Sequence, residues 1–459
     1  MFYLLPVLVV VQIIYGYNHL TEPWQGLSDS TGAFYNTGIF GGLVALGFVT
    51  GLGLIVLTKP QKYYIDKILL GIILIPITIQ LIYSQSRAAW LAAIAGIIVL
   101  LFPVFRKLTK ITVVVLISVL LIFGILFSVK LYHFKKDSAD GRLLIWTVSW
   151  NLFKEKPLTG FGPDGFQKNY MFRQGDYLKE HPDSPWADLA DDTTSPFNEF
   201  LKVAVEQGII GLLFVFGIVF VTAKAQKSRK EQAVLTALIV FACFSYPFSF
   251  IAFQIVWMVC LASIANKQEA VLSFRGLWVK SAMTVFVVTV GFSLYSLCKY
   301  QQAVKQWNKA TAILEDKTIP ELQALYPILK HNALFVFIYG NALYYAERHP
   351  EAIIQLEEAL QLYPNSQTLL RLGESYEKTG NDAKALDTWQ IASYMKPSSF
   401  TPHYNIAKLY YNRSNCRRAK EVANKVLTKK MKINHPKIDW MKQEMREFLD
   451  CNSTRNKID

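Results

Sequence analysis

Long apolar runs broken by short charged ones fill the first two thirds of the chain. The runs lie at about 2–17, 38–57, 67–83, 88–105, 111–130, 198–222, 232–248, 250–265 and 279–298. A bilayer core takes roughly 20 helical residues. Lipid satisfies no backbone polar group, so a run that crosses it is helical. The pattern predicts an all-α, polytopic membrane helical bundle of about nine spans over residues 1–298. The first run, Phe2–Tyr17, lacks a basic segment before it and a small-residue cleavage site after it. It reads as a short spanning helix and not as a cleaved leader.

After residue 298 the period changes to that of paired amphipathic helices. Gly340, Ala352, Leu356, Ala359 and Pro364 recur 33 residues later as Gly373, Ala385, Trp389, Ala392 and Pro397. A looser third copy carries Ala407, Ala419 and Ala423. Small residues are needed where two helices of a pair approach closely, and a stack of such pairs buries a continuous core. Residues 299–459 are therefore expected to form an α-solenoid, with 299–330 as a degenerate leading unit and 439–449 as a capping helix.

Charge adds an orientation. The 48 Lys and Arg against 34 Asp and Glu give +14, with a mean hydropathy of +0.24. The basic residues gather in alternate connections: Lys59, Lys62 and Lys67; Arg106, Lys107 and Lys110; Lys224, Lys227, Arg229 and Lys230; Lys267, Arg275 and Lys280. Positive connections stay cytoplasmic, which accounts for the charge without a nucleic-acid partner. The opposite side then carries loop 18–37, the Ser84–Arg87 turn, the large loop 131–197 and the repeat tail. The five cysteines form no CxxC or Cys/His cluster, so no metal site is expected. Cys416 and Cys451 are compatible with a disulfide if the tail lies outside the cytoplasm.

Four polar stretches sit at the outer ends of the apolar runs. They are Ser30–Thr37, with Gly32, Phe34 and Asn36; Ser84-Gln85-Ser86-Arg87-Ala88-Ala89-Trp90; Gly141-Arg142 with Trp146, followed by Pro157-Leu158-Thr159-Gly160-Phe161-Gly162; and Phe197–Gly211, with Asn198, Glu199, Glu206, Gly208 and Gly211. Gly160, Gly162 and Gly165 lie among prolines without a βαβ context, so they read as a turn-rich connection and not as a dinucleotide fingerprint. Polar residues at a membrane boundary cost free energy and are usually kept for function.

In order and spacing these stretches resemble the O-antigen ligase and polymerase superfamily, which includes protein O-oligosaccharyltransferases. The tail resembles tetratricopeptide repeats. One position departs from the family pattern: Phe197 stands where the family has His. The superfamily usually has more helices before this point, so the chain is either naturally short or begins at a late start codon.

The resemblance implies a bacterial inner-membrane glycosyltransferase with the large loop and the repeats on the periplasmic side. It would move a glycan from a polyprenyl-diphosphate carrier to a hydroxyl on a glycolipid, another glycan or a protein. No cofactor or metal is expected, and the lipid-linked glycan is itself the donor substrate. Arg87 and Arg142 suit a diphosphate, because a planar guanidinium fork matches phosphate oxygens and stabilises a departing anion. The plainer readings are an Arg87 reaching to lipid headgroups and an Arg142 paired with Asp137 or Asp140. Asn36 and Trp146 are further candidates for substrate contact, and Asn198 for orienting a sugar hydroxyl. Because Phe197 accepts no proton, the base is either Glu199, Asp191, Asp192 or His181, or is dispensable beside a good leaving group. The plainer reading of the acidic run 176–192 is a solvated face. That of Glu199 is helix-start chemistry, with Thr194 or Ser195 as cap. Membrane lipids surround the bundle, and the repeat groove is a place for a protein partner. A non-catalytic scaffold that recruits partners through the repeats is the rival reading.

Overall fold

A computed structural model describes residues 2–20, 29–57, 64–105, 136–224, 229–266, 276–311, 318–428 and 435–451. Every regular element among the described residues is a helix. The expected span 111–130 and most of the basic connections lie outside the described residues. The chain forms two compact units. One comprises residues 1–142, 153–163 and 195–271, and the other 143–152, 164–194 and 272–459.

The first unit is built around helix Thr37–Leu57, most of which is buried. Its glycines let neighbours approach the backbone. A Cβ on Gly42 would fall 2.2 Å from the Phe241 ring. Helices Leu4–Asn18, Tyr64–Tyr83, Arg87–Phe105, Arg229–Ala242 and Ile251–Ala265 pack round it through Val9, Ile77, Ala92, Leu238 and Phe253. Thr37–Leu57, Tyr64–Tyr83 and Glu199–Lys224 are long and apolar enough to cross a bilayer, while Leu4–Asn18, Arg87–Pro103 and Ile251–Ala265 are shorter apolar helices. The run expected at 232–248 stops as a helix at Ala242 and continues into a 3-10 turn at Pro247–Ser249. Pro247 disfavours helix at the residue before it and has no N–H to give, so the two apolar helices are separated by a structured turn.

Helix Glu199–Lys224 is broken at Gly208 (φ 65°, ψ −159°). The segment 157–162 fills the break. Phe161 and Gly162 donate N–H groups to the carbonyls of Val205 (2.9 Å) and Glu206 (2.8 Å). Ile209 and Ile210 donate to the carbonyls of Pro157 (2.8 Å) and Leu158 (3.4 Å). The third and fourth polar stretches are thus one interlocked structure. Its glycines are required by contact: a Cβ on Gly208 would meet the Leu158 oxygen at 2.2 Å, and one on Gly160 the Glu206 carbonyl carbon at 2.4 Å. A helix break at a membrane end is tolerated when protein satisfies the freed backbone groups in this way.

The second unit contains the repeats. Helix pairs Ala333–Tyr345 with His349–Leu362 and Ser366–Lys378 with Asp382–Met395 occupy the two matched copies. Gly340 faces Leu356 and Gly373 faces the Trp389 indole, as close pairing demands. Thr401–Asn412 with Cys416–Leu427 forms the third pair, and Pro436–Leu449 follows it. The leading unit is Thr318–Leu329 packed on the end of helix Leu277–Thr311 through Ala303, Trp307 and Leu322. That helix runs unbroken through residue 298, where a domain boundary was expected, and its apolar first part is exposed. The reason is local: no proline or glycine lies between Ser293 and Thr311 to end it. A Cys416–Cys451 disulfide ties the last pair to the end of the capping helix.

The stretch expected as an open outer loop is largely helical, as Lys136–Glu155 and Gly165–Glu180. Its middle belongs to the repeat unit. Gln174 is buried and donates from Nε2 to the Met395 carbonyl at 2.7 Å. Gly175 lies against Met395, and Lys179 lies over the Tyr394 ring.

Candidate functional site

Four helix-flanking stretches of the first unit converge. The first is anchored by Phe34, whose ring packs against those of Phe40, Phe250 and Phe253. This anchor sets Asn36 at the start of helix Thr37–Leu57. Asn36 Oδ1 accepts the Ile39 N–H at 3.0 Å, and its Nδ2 donates to the Tyr246 hydroxyl at 3.3 Å.

The second stretch is locked onto the same helix end. Ser84 Oγ donates to the Leu81 carbonyl at 2.8 Å, and the Trp90 indole donates to the same oxygen at 2.7 Å. Ser86 Oγ caps Ala89 N–H at 3.3 Å and donates to the Gly38 carbonyl at 3.4 Å. Arg87 is consequently the first residue of its helix.

Arg142 lies within helix Lys136–Glu155. Its guanidinium lies over the Phe197 ring, 5.3 Å from the centroid. Trp146 follows one turn later on the same helix, half-buried. Burial, and then the charge of Arg87, push the Arg142 guanidinium below its ordinary range, while Tyr246 pulls it the other way. It remains a cation at any working pH. Arg87, next to Ser86 on the Gly38 carbonyl, and Arg142, over the Phe197 ring that meets Tyr246, thus both flank the Asn36–Tyr246 bond.

Phe197 has a left-handed backbone (φ 53°). Its ring meets Arg142 on its face and the Tyr246 ring at 5.3 Å and 78°. A neutral aromatic face beneath a guanidinium attracts it by about 0.5–1 kcal/mol, more when water is excluded. Asn198, not Thr194 or Ser195, caps the helix that follows: its Oδ1 accepts the Leu201 N–H at 3.0 Å. The reason is Phe197, whose left-handed turn puts the helix start after it, while Ser195 Oγ receives the Phe197 N–H at 3.4 Å. Glu199 is buried (7% exposed), and its Oε1 accepts the Phe248 N–H at 2.8 Å. It thereby fastens the 246–250 turn to the start of helix Glu199–Lys224.

The remaining candidates lie in the repeat unit. Asp192 accepts from the Ser366 N–H at 2.9 Å and the Ser366 hydroxyl at 2.7 Å, at the start of helix Ser366–Lys378. Asp191 pairs with Lys396. His181 ends helix Gly165–Glu180, with Nδ1 on the Tyr177 carbonyl at 2.9 Å and its ring stacked on Tyr177. These three side chains have structural partners in their own unit. Arg87, Arg142, Asn36, Asn198 and Glu199 are brought together in the other.

Sequence reasoning missed Tyr246, which joins Asn36 to the Phe197 ring that lies beneath Arg142. The signal was there: Ser245-Tyr246-Pro247 breaks an apolar run at a point the charge pattern puts on the outer side. Among the described residues no group of three or more His, Cys, Asp or Glu is placed to hold a metal.

This geometry coincides with a family match. A family model described as O-antigen ligase matches residues 72–216. Over that segment the chain is similar to O-antigen ligases. A tetratricopeptide repeat model matches residues 367–392, the second of the paired copies. A search of curated proteins finds no match. The protein is an O-antigen ligase-like, multi-pass membrane protein with a tetratricopeptide tail.

Proposed function

We propose that this O-antigen ligase-like protein is a glycosyltransferase that uses a polyprenyl-diphosphate-linked glycan as donor and a hydroxyl of a glycolipid or protein as acceptor. One observation carries this reading: Arg87, Asn36 and Asn198, at three helix starts of one unit, converge with Phe197 and with Arg142 above its ring. Neighbouring guanidiniums repel one another, and a bound diphosphate turns that repulsion into shared attraction. Helix starts add partial positive charge of their own.

In the proposed reaction the bond between the anomeric carbon and the phosphate oxygen breaks, and its electron pair stays on the diphosphate. The acceptor oxygen bonds to the anomeric carbon, and its proton passes to a basic group or to the departing diphosphate. Fixed cations stabilise the charge that develops on the leaving group. No resident metal or cofactor enters this scheme.

The five junctions that supply Asn36, Arg87, Arg142, Asn198 and Tyr246 all fall on the side opposite the basic connections. We place that side in the periplasm of a bacterial inner membrane, together with the tail. The Cys416–Cys451 disulfide supports this, since disulfides persist in oxidising compartments. A polar cavity of about 600 Å³ in the repeat unit, lined by Tyr344, Glu374, Tyr404, Lys408 and Trp440 among others, offers a place for a protein acceptor or partner.

The test is transfer by purified protein from a lipid-diphosphate-linked glycan of its host to host acceptors. Product formation by the native chain, lost in Arg142→Ala, is expected. Absence of product with every donor and acceptor would leave the scaffold reading in its place.

A further inference from the structure

We infer that the Tyr246 hydroxyl is a third ligand of the anion at this site, donating its proton in a hydrogen bond to a diphosphate oxygen beside Arg87 and Arg142. The inference rests on the proposed diphosphate site and adds to it a residue from outside the matched segment 72–216.

The hydrogen bonds of Asn36 have a fixed direction. Asn36 Oδ1 is engaged as the cap of its helix, accepting from Ile39 N–H at 3.0 Å. That fixes which end of the amide faces Tyr246. The Nδ2 group faces it, at 3.3 Å, and an amide nitrogen only donates. The phenol oxygen is therefore the acceptor in this bond, and its single proton is left for another partner. A phosphate oxygen is an acceptor and a guanidinium is not, so the proton suits the anion that the arginines would hold.

The phenol is also held in place. Tyr246 precedes Pro247, and the turn closes through the Phe250 N–H on the Pro247 carbonyl at 2.9 Å. Glu199 grips the same turn at Phe248. The Tyr246 ring meets Phe197 edge to face, and Phe197 lies beneath Arg142. The phenol thus stands next to the residue that replaces the family's histidine. Tyr246 keeps its proton throughout and shares it with the phosphate oxygen; it is a donor to the leaving group and not a base for the acceptor.

The test is binding of farnesyl diphosphate to the full chain in detergent, with melting temperature measured alongside. A hydrogen bond to a charged group is worth enough for Tyr246→Phe to weaken binding roughly ten- to hundredfold. The melting temperature should stay near that of the native chain, because the ring contacts survive. A ring-fluorinated tyrosine at 246 keeps the hydroxyl and is a stronger donor, so it should bind more tightly than the native chain. Native-like affinity in Tyr246→Phe, or no tightening with the fluorinated residue, overturns the assignment while leaving the arginine site standing. Failure of the native chain to bind farnesyl diphosphate at all, or native affinity in Arg142→Ala, removes the diphosphate site and the assignment with it.

Discussion

Among the described residues six helices start in the same way, three in each unit. A residue with a left-handed backbone is followed by a capping position and then by the helix. In the membrane unit the left-handed residues are Tyr35, Gln85 and Phe197, before Asn36, Ser86 and Asn198. In the repeats they are Glu347, Gly380 and Ser414, before Arg348, Asn381 and Asn415. The local device is shared, but its consequence differs. In the repeats it recurs at intervals of about 33 residues, each copy facing its own helix pair, and it builds a scaffold. In the membrane unit the three copies come from distant parts of the sequence and meet around Tyr246, Phe197 and two arginines. A helix start becomes a candidate site through what the tertiary structure brings to it, and not through the cap itself.

The two units should differ most at their arginines. Arg87→Ala and Arg142→Ala should each lower glycan transfer by on the order of 10²–10³-fold, the usual loss when a donor to a developing anion is removed. Lys at either position should restore only part of the rate, because it lacks the planar fork. Arg413, which pairs with Asp382 in the repeats, serves as the control, and its Ala variant should transfer normally. Full activity in both membrane-unit variants would reduce the cluster to packing.

The next effect falls on the repeat unit alone. Opening the Cys416–Cys451 bridge, which closes 35 residues of chain, should cost that unit roughly 3–4 kcal/mol. Calorimetry of the full chain with and without reductant should show a lowered repeat transition and an unmoved membrane transition. A shift of both, or of neither, would contradict the division into two units. Gly208→Ala probes the helix break. The native φ and ψ there are essentially restricted to glycine, at a cost of about 1–3 kcal/mol for another residue, and the added Cβ meets the Leu158 oxygen. Transfer and melting temperature should both fall, and retention of both would mean that segment 157–162 does not need the break.

The smallest effect sharpens the comparison furthest. Asn381→Ala and Asn198→Ala each remove one helix cap, worth about 1 kcal/mol. Melting should drop by similar amounts in the two. Transfer should fall in Asn198→Ala and stay unchanged in Asn381→Ala. Equal transfer in the two variants would show that the membrane-unit caps are scaffold as well.

Much of this molecule was legible in its sequence. Hydrophobic run length marked the apolar helices, because a bilayer sets the length of whatever crosses it. The 33-residue recurrence of Gly340 and Gly373 located the repeat pairs, because close helix approach admits only small residues there. Residue type, together with the resemblance of the four polar stretches to a known family, singled out Arg87, Arg142, Asn36 and Asn198. The sequence did not determine which of the candidates are neighbours. His181, Asp191 and Asp192 stood in the same acidic run and were candidate bases, yet Asp191 and Asp192 tie that run to Lys396 and Ser366 and His181 closes its own helix on Tyr177. Tyr246 looked like the end of an apolar span, yet its hydroxyl accepts from Asn36 and its ring meets Phe197. The Gly208 break was equally hidden, since its partner backbone lies some fifty residues earlier, at Pro157–Gly162. Period and composition report what each segment does with solvent and with its own helix. Convergence between segments depends on packing and on hydrogen bonds between distant backbones, and only the folded chain decides those.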